Sequence, residues 1–323
     1  DDGSGFFHDN AHSYWSIMAD GNDVREGGAA SQLDLLRNIY FFNSTGSIVN
    51  ESNKLHEDNG DITVANLGIP DQADQDVLRS QVLKWARGVD VYDDDNDGDT
   101  DDVRLQMGDP IHSQPVIVNY SATDSAILVA TNQGFLHSFD AETGEENFAI
   151  TPKELLTNLY DFYQDNSSFN HIYGLDGDLV LRNKGNQKIL YVGMRRGGNN
   201  YYAFDITNKT SPSLLFKIEG GSTGFEQLGQ TWSRPTLTKV NIGGSTKTVL
   251  IFGGGYDDDQ DNKVNRAPDV TGNAVYMVDA DTGALLWRAG KTGADLNLPQ
   301  MQYSISARIS VIDRENDGVA DHM

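Results

Sequence analysis

The 323-residue chain contains no cysteine. Disulfide staples, thiolate metal sites and cysteine nucleophiles are thereby excluded, while either redox compartment stays compatible with the composition. Positive charge is also scarce: 24 Lys and Arg face 48 Asp and Glu, a net charge of −24. That excess repels nucleic-acid backbones and anionic membrane surfaces, so neither is expected as a partner and cations are favoured. No apolar run reaches the roughly twenty residues a membrane-spanning helix needs. The opening DDGSGFFHDN lacks the basic and apolar regions of a signal peptide, so the chain reads as soluble and as compatible with being a piece of a longer protein.

What is present suffices for a core, since 38% of residues are hydrophobic. The length suits one large β domain or two smaller ones. From Val24 to about Val89 the pattern reads mainly as helix and loop. Leu33, Leu36, Ile39 and Tyr40 recur at helical spacing in one stretch, and Val77, Val82 and Trp85 in another that Gly88 stops. After Gly108 short β-branched and aromatic runs recur in a fixed order. One unit reads IHSQPVIVNY, AILVATNQG, FLHSFDAETG, ENFAI; another DGDLVLRN, KILYVGMRRGG, NYYAFDITN, SLLFKIE; a third WSRPTLTKV, TVLIFGGG, NAVYMVDADTG, ALLWRAG. YSISARISVIDRENDGVADHM begins a fourth. The expectation is an all-β protein, with residues 1–107 as a helical lead-in packed on 108–323, the blades of a β-propeller whose last blade is truncated. The turns DAETG (140–144) and DADTG (279–283) are structural: Asp and Thr side chains bond turn amides, and Gly accepts a left-handed backbone.

Three acidic segments carry the chemistry. Between Asp93 and Asp102 seven acids occur in ten residues without a Lys or Arg. Asp93, Asp95, Asp97 and Asp101 stand at positions one, three, five and nine, with Gly98 at six and the Asp99 carbonyl at seven. This is the first part of an EF-hand-like calcium loop, shortened because position twelve is Arg104. Asp313, Glu315, Asp317 and Asp321 repeat the pattern, with Gly318 at six and the Val319 carbonyl at seven, after ARISVI read as the strand that sets the entry angle. In the third segment Asp257, Asp259 and Asp261 have the spacing, but Asn262 replaces glycine and position nine is Asn265. A calcium site, with Asp269 reaching back, and a solvated hairpin explain it equally well. Hard oxygen donors without converging His select calcium over zinc or copper.

Other features read as structural. Asp109, His112 and Ser113 contain triad residue types, but adjacency in one loop points them apart. FGGGYD lacks the lysine and helix of a phosphate loop. Arg195 and Arg196 read as a basic spot engaged in a plain surface ion pair. Tyr201 and Tyr202 read as one buried and one exposed strand residue.

EGGAASQL, RNIYF, WARG, MGDPIHSQPVIV, ATNQGFLHSFDAETGEE, YYAFDIT, SRPTL, NAVYMVDADTGALLW and DRENDGVAD together resemble the C-terminal domain of PilY-type type IV pilus biogenesis factors and tip adhesins. The resemblance implies a modified quinoprotein-like propeller at the cell surface, pilus tip or outer membrane. It also implies an exported, noncatalytic module that couples calcium to pilus extension and retraction and supports adhesion and twitching motility. Minor pilins of the tip complex and host or abiotic surfaces are the implied partners. The family's calcium loop falls on Asp313, Glu315, Asp317, Val319 and Asp321, Glu315 being longer than the usual Asp or Asn. The family's large von Willebrand A-like N-terminal region does not occur in this sequence. Two alternatives stay open: a calcium-dependent carbohydrate-binding propeller, and a quinone-dependent dehydrogenase. The second needs cofactor-stacking aromatics, and the 4 Trp do not recur once per repeat.

Overall fold

Runs rich in Val, Ile, Leu, Tyr and Phe, separated by Gly- and Asp-centred turns, form strands because their branched and aromatic side chains suit a pleated, packed surface. A computed structural model describes all residues except 1, 2, 6, 7, 9, 17, 18, 21–23 and 165–170. Part of the opening decapeptide and the end of the insertion after residue 151 thus lie outside the described residues. The lead-in supplies β1 (Ile39–Phe42), β2 (Gly46–Ser47) and α1 (Gln75–Ala86). The first unit follows as β3 (Val116–Asn119), β4 (Ser125–Ala130), β5 (Leu136–Asp140) and β6 (Glu146–Pro152), then α2 (Leu159–Gln164). The second is β7 (Leu179–Lys184), β8 (Gln187–Gly193), β9 (Asn200–Asp205) and β10 (Ser213–Glu219). The third is β11 (Thr236–Ile242), β12 (Ser245–Gly253), β13 (Ala274–Asp279) and β14 (Leu285–Gly290), with β15 (Leu296–Asn297) after it.

Each unit is an antiparallel meander extended by one more strand, giving three five-stranded sheets ordered β1-β6-β5-β4-β3, β2-β10-β9-β8-β7 and β11-β12-β13-β14-β15. The fold is mostly β with few helices. The four-strand repeat read from the sequence is thus present in three copies. The fourth differs: ARISVI makes no ladder, and Ser233 and Thr236 instead donate their hydroxyls to the carbonyls of Ala307 (2.8 Å) and Ile309 (2.6 Å).

The lead-in departs from its expected helices. No helix spans Leu33 to Tyr40, where Leu36 is 86% exposed. Alternation won over helical spacing: Ile39 and Phe41 face the helical layer, Tyr40 and Phe42 face the second sheet, and β1 pairs in parallel with β6. The second expected helix is α1, with Val82 and Trp85 buried but Val77 exposed on its first turn.

The sheets stack face to face. One core joins the first two through Leu128, Phe148, Leu190, Tyr202 and Phe204, and another joins the second and third through Tyr191, Tyr201, Phe252 and Tyr276. Tyr201 and Tyr202 are therefore both buried, against expectation, because β9 lies inside its sheet and both faces of that sheet are covered. The outer face of the first sheet is covered by the lead-in, with Leu55, Leu67, Leu83 and Trp85 over Phe135 and Ala149, and Leu33 beside Val129 and Phe139.

The Asp-x-x-Thr-Gly turns sit between the last two strands of the first and third units. Asp140 Oδ1 accepts the amides of Glu142 (2.8 Å) and Thr143 (2.9 Å), and Asp279 Oδ1 those of Asp281 (2.9 Å) and Thr282 (3.2 Å). Gly144 and Gly283 take φ of +78° and +72°. Each also lies under an aromatic ring: a methyl on Gly283 would meet Phe216 at 2.5 Å, and one on Gly144 would meet Trp15 at 2.7 Å. The turn of the third sheet is thus seated on the second sheet, and a lead-in tryptophan fills the equivalent place at the first.

One buried polar knot ties the lead-in to the first sheet. Arg37 binds Glu146 through two bonds of 2.7 and 2.9 Å, and His137 Nδ1 lies 2.7 Å from Glu146 Oε1. Burial would raise the Glu146 carboxyl, but Arg37 and His137 hold it down at about 2. Burial lowers the His137 imidazole, with Glu146 pulling the other way. Both groups bind protons more readily unfolded than folded, so both lose stability on acidification: His137 as pH falls below 6.5, Glu146 as it falls from 4.5 towards 2. Urea unfolding in chelator across that range should show this decline. Glu146→Gln should be less stable at pH 7 by about 3 kcal/mol, because it leaves a buried Arg37 charge poorly paired, and should flatten the decline below 4.5.

Candidate metal centre

Two of the three acidic segments fold alike. In each, the residue at position four and the glycine at position six have left-handed backbones: Asn96 (φ +61°) and Gly98 (+89°), Asn316 (+53°) and Gly318 (+83°). Asn and Gly are the residues that reach this region at low cost. The first carboxylate accepts the amide of the glycine, Gly98 N to Asp93 Oδ1 at 3.1 Å and Gly318 N to Asp313 Oδ2 at 2.8 Å. The fifth accepts that of position seven at 2.8 Å in both, Asp99 N to Asp97 and Val319 N to Asp317. The same spacing thus produces the same turn over positions four to seven at two distant places in the chain. Position one is left-handed only at Asp93 (φ +53°), and the position-five amide goes to Asp95 in the first loop and to Asp313 in the second.

Asp93, Asp95 and Asp97 each offer a carboxylate oxygen, and the three lie within 4.8 Å of one another, the acidic group so gathered among the described residues. Position nine behaves differently from the expectation. Asp101 bonds Lys84 of α1 at 2.9 Å, and Asp321 Oδ2 accepts the Arg314 amide at 2.8 Å. Two carboxylates that the alternate-residue rule passed over stand at the base of the first loop. A bridge between Val89 and Val103 brings Asp90 beside Asp102, and each keeps one buried oxygen without a hydrogen-bond partner. Asp102 lay in the acidic run but out of phase; only the bridge reveals Asp90. Desolvation and the charges of Asp95, Asp97, Asp90 and Asp99 raise the Asp102 carboxyl. Burial comes first among these causes and the neighbouring carboxylates second, and both disfavour the charged form. The residues therefore fit a hard divalent ion.

Arg104, at position twelve, fastens the loop instead of ligating. Its guanidinium lies 4.2 Å from the centre of the Trp85 ring and donates to the Trp85 carbonyl at 3.1 Å. Burial lowers it to about 10, with Arg37 adding to the effect, so it stays charged at neutral pH.

The third segment is neither a solvated hairpin nor a similar loop. Residues Asp258–Asn262 form a 3₁₀ helix, and Asp257, 2% exposed, caps it through the Asp259 amide (3.1 Å) and accepts the Val270 amide at 2.7 Å. Asp261 pairs with Arg196 and Tyr256, and Asp269 reaches Ser304, not the segment.

Asp109, His112 and Ser113 do diverge, as their adjacency implied. Ser113 accepts the Ala130 amide, Asp109 lies near Asn132, and His112 Nδ1 is 2.8 Å from Asp176, which is 1% exposed. Arg195 is not the plain surface ion pair expected. It bonds the same buried Asp176 at 3.1 Å, lies 4.1 Å over the Trp232 ring, and holds φ at +50°. His112, Asp176 and Trp232 each stand one residue before the Ser or Gly that leads into the first strand of a unit, so Arg195 ties three units together. Gly253, the last residue of β12, and Gly254 and Gly255 after it pack closely against the backbone of Ile305, Gly272 and Gln230.

Fold and loops define a mostly β protein carrying carboxylate-rich loops. No family model matches the chain. By sequence it is similar to the type IV pilus biogenesis factor PilY1 of Pseudomonas aeruginosa PAO1, 27% identical over 251 residues, which is 67% of this chain and 19% of the relative. It is likewise similar to a PilY1 homolog of Xylella fastidiosa, 29% identical over 185 residues, 48% of this chain and 15% of the relative. These relatives bear out the PilY-type resemblance read from the sequence, and the chain spans less than a fifth of their length. Among solved structures, the P. aeruginosa PilY1 C-terminal domain aligns at a TM-score of 0.42 and 24% identity, covering 62% of this chain and 36% of that one. A europium-containing methanol dehydrogenase aligns at 0.26 and 15%, covering 54% and 31%. Scores at this level carry no argument about ring closure or chemistry.

Arg104→Met keeps the apolar stem but removes the stacked charge and its hydrogen bond to the end of α1. The variant should lose about 1–3 kcal/mol in chemical unfolding with chelator present. Unchanged stability would show that the loop does not clamp the helix.

Proposed function

We propose that the chain is a calcium-binding, noncatalytic module of a type IV pilus biogenesis factor, formed as part of a β-propeller. In this reading it works at the cell surface or pilus tip, biases pilus extension against retraction, and supports adhesion and twitching. The carrying observation is the recurrence of one loop geometry at Asp93–Asp101 and Asp313–Asp321, in a chain whose sequence relatives are named pilus biogenesis factors. Three repeated meanders packed face to face support the propeller reading. Minor pilins of the tip complex are the proposed partners.

The first loop would hold calcium through Asp93, Asp95 and Asp97, with the Asp99 carbonyl and Asp90 or Asp102 completing the shell. The second would use Asp313, Glu315, Asp317, the Val319 carbonyl and Asp321. The ion supplies a charge that gathers carboxylates and takes part in no bond-making. Asp101, paired with Lys84, is placed to transmit filling of the first loop to α1. Burial of both Tyr201 and Tyr202 leaves no sugar-stacking pair there, so the carbohydrate reading loses its observation.

Calcium should raise the melting temperature and chelator should lower it, without either creating or abolishing the fold. An ion bound only by the native state adds about 2.7 kcal/mol per site at a hundredfold excess over Kd. Asp97→Ala should remove one site in calcium titration and chiefly lower thermal stability. Asp317→Ala should remove the other and alter surface pilus number and twitching in cells carrying the full-length protein at normal surface abundance. Melting indifferent to calcium in the parent chain would refute the reading.

A further inference from the structure

The acids of this chain outnumber its bases two to one, yet one groove reverses the balance. It lies where the ends of β7 and β11 approach each other, has a volume of about 480 Å³, and is lined by Arg182, Lys184, Thr238, Lys239, Thr248 and Gly318. Arg182 is 9% exposed and fixed, donating to Tyr191 Oη at 3.3 Å and to Asp281 Oδ1 at 2.8 Å. Lys184 binds that same Asp281 oxygen at 2.9 Å. Lys239 is exposed and has no carboxylate within ion-pair distance among the described residues. Two of the three cations therefore share one carboxylate, and the third is paired with none. Thr238 and Thr248 complete the lining, and Leu237 adds an apolar wall.

We infer that this groove binds an acidic peptide segment of a protein partner, and that calcium in the Asp313–Asp321 loop strengthens the binding. The extent argues for a multi-atom ligand, since the lining runs over β7, β11, β12 and the 313–321 loop, more than a single small anion can touch. Spare positive charge selects carboxylates, and the apolar wall suits the methylene stems of Glu side chains. On a surface with net charge of −24 such a groove also sets where an acidic segment can land.

The coupling follows from placement. Gly318 lines the groove and belongs to the loop, its amide held by Asp313. The Ala320 amide donates to the carbonyl of Lys239 at 2.7 Å, so the loop is fastened to the residue that carries the unpaired cation. A filled loop places two positive charges beside the groove in exchange for unscreened carboxylates. Linkage then requires the acidic segment to tighten calcium binding by the same factor. This coupling rests on the calcium reading of the loop; the groove itself does not.

The test uses a fluorescein-labelled hexaglutamate peptide and the 323-residue chain in low salt, read by anisotropy with chelator and with calcium. The peptide should bind in chelator, and Lys184→Gln and Lys239→Gln should each weaken it by about threefold or more, whereas Lys291→Gln, outside the groove, should not. Calcium should tighten binding by about fivefold or more in the parent chain and not in Asp317→Ala. Unchanged affinity in Lys239→Gln, or equal loss in Lys291→Gln, overturns the groove. Inorganic phosphate displacing the peptide with equal or higher affinity makes it a small-anion site and overturns the peptide assignment. A separate calcium titration divides the remaining failures. If calcium binds but peptide affinity does not move, the coupling is wrong and the calcium reading stands. If calcium does not bind, the calcium reading is wrong and the lysine variants in chelator alone decide the groove.

Discussion

A β-sheet that is apolar on both faces is stable only where both faces are covered, and the architecture follows from that constraint. The first and second sheets cover each other, as do the second and third. Among the described residues, the first sheet has no sheet on its other side. The lead-in fills that place with α1 and its loops, joined by α2 from the stretch after β6, and extends the first two sheets with β1 and β2. Its helices are a substitute for a neighbouring sheet, so Leu83 and Trp85 do for Ala149 what Tyr202 does for Phe148. The same substitution occurs in miniature at the turns, where Trp15 covers Gly144 as Phe216 covers Gly283.

Scarce positive charge is spent mostly between elements. Lys209 of the second sheet binds Asp124 and Asp140 of the first, and Arg182 and Lys184 bind Asp281 of the third. Burial opposes ionisation of Asp140, but Lys209 and the turn amides hold its carboxyl at about 2. Arg37 enters the knot at Glu146 and Arg195 that at Asp176. With so many cations committed to joining sheets, the acidic loops have few left: among the described residues, Lys84 is the one cation in an ion pair with the first, through Asp101.

Much of this was legible because the governing interactions are local. The four-strand units, the Asp-x-x-Thr-Gly turns and the two nine-residue loops each depend on residues close in sequence, so spacing suffices to find them. What was misread depends on distant neighbours. Leu33 to Tyr40 has helical spacing, but β6 offered a ladder that only the folded chain contains. Tyr201 and Tyr202 point to opposite faces as alternation requires; that both faces are interior depends on the third sheet. Asp90 and Asp102 fall outside any spacing rule and meet through one bridge.

By itself the sequence determined the class of strand units, their turn chemistry, the excess of acid and the two nine-residue acidic loops, since each is a matter of short-range backbone preference and composition. Tertiary structure alone decided which faces became interior, which acid found which base, and where unpaired charge was left. Burial and pairing are set by whichever element arrives from far along the chain, and a carboxylate costs little in water but must find a partner once another sheet excludes the water around it.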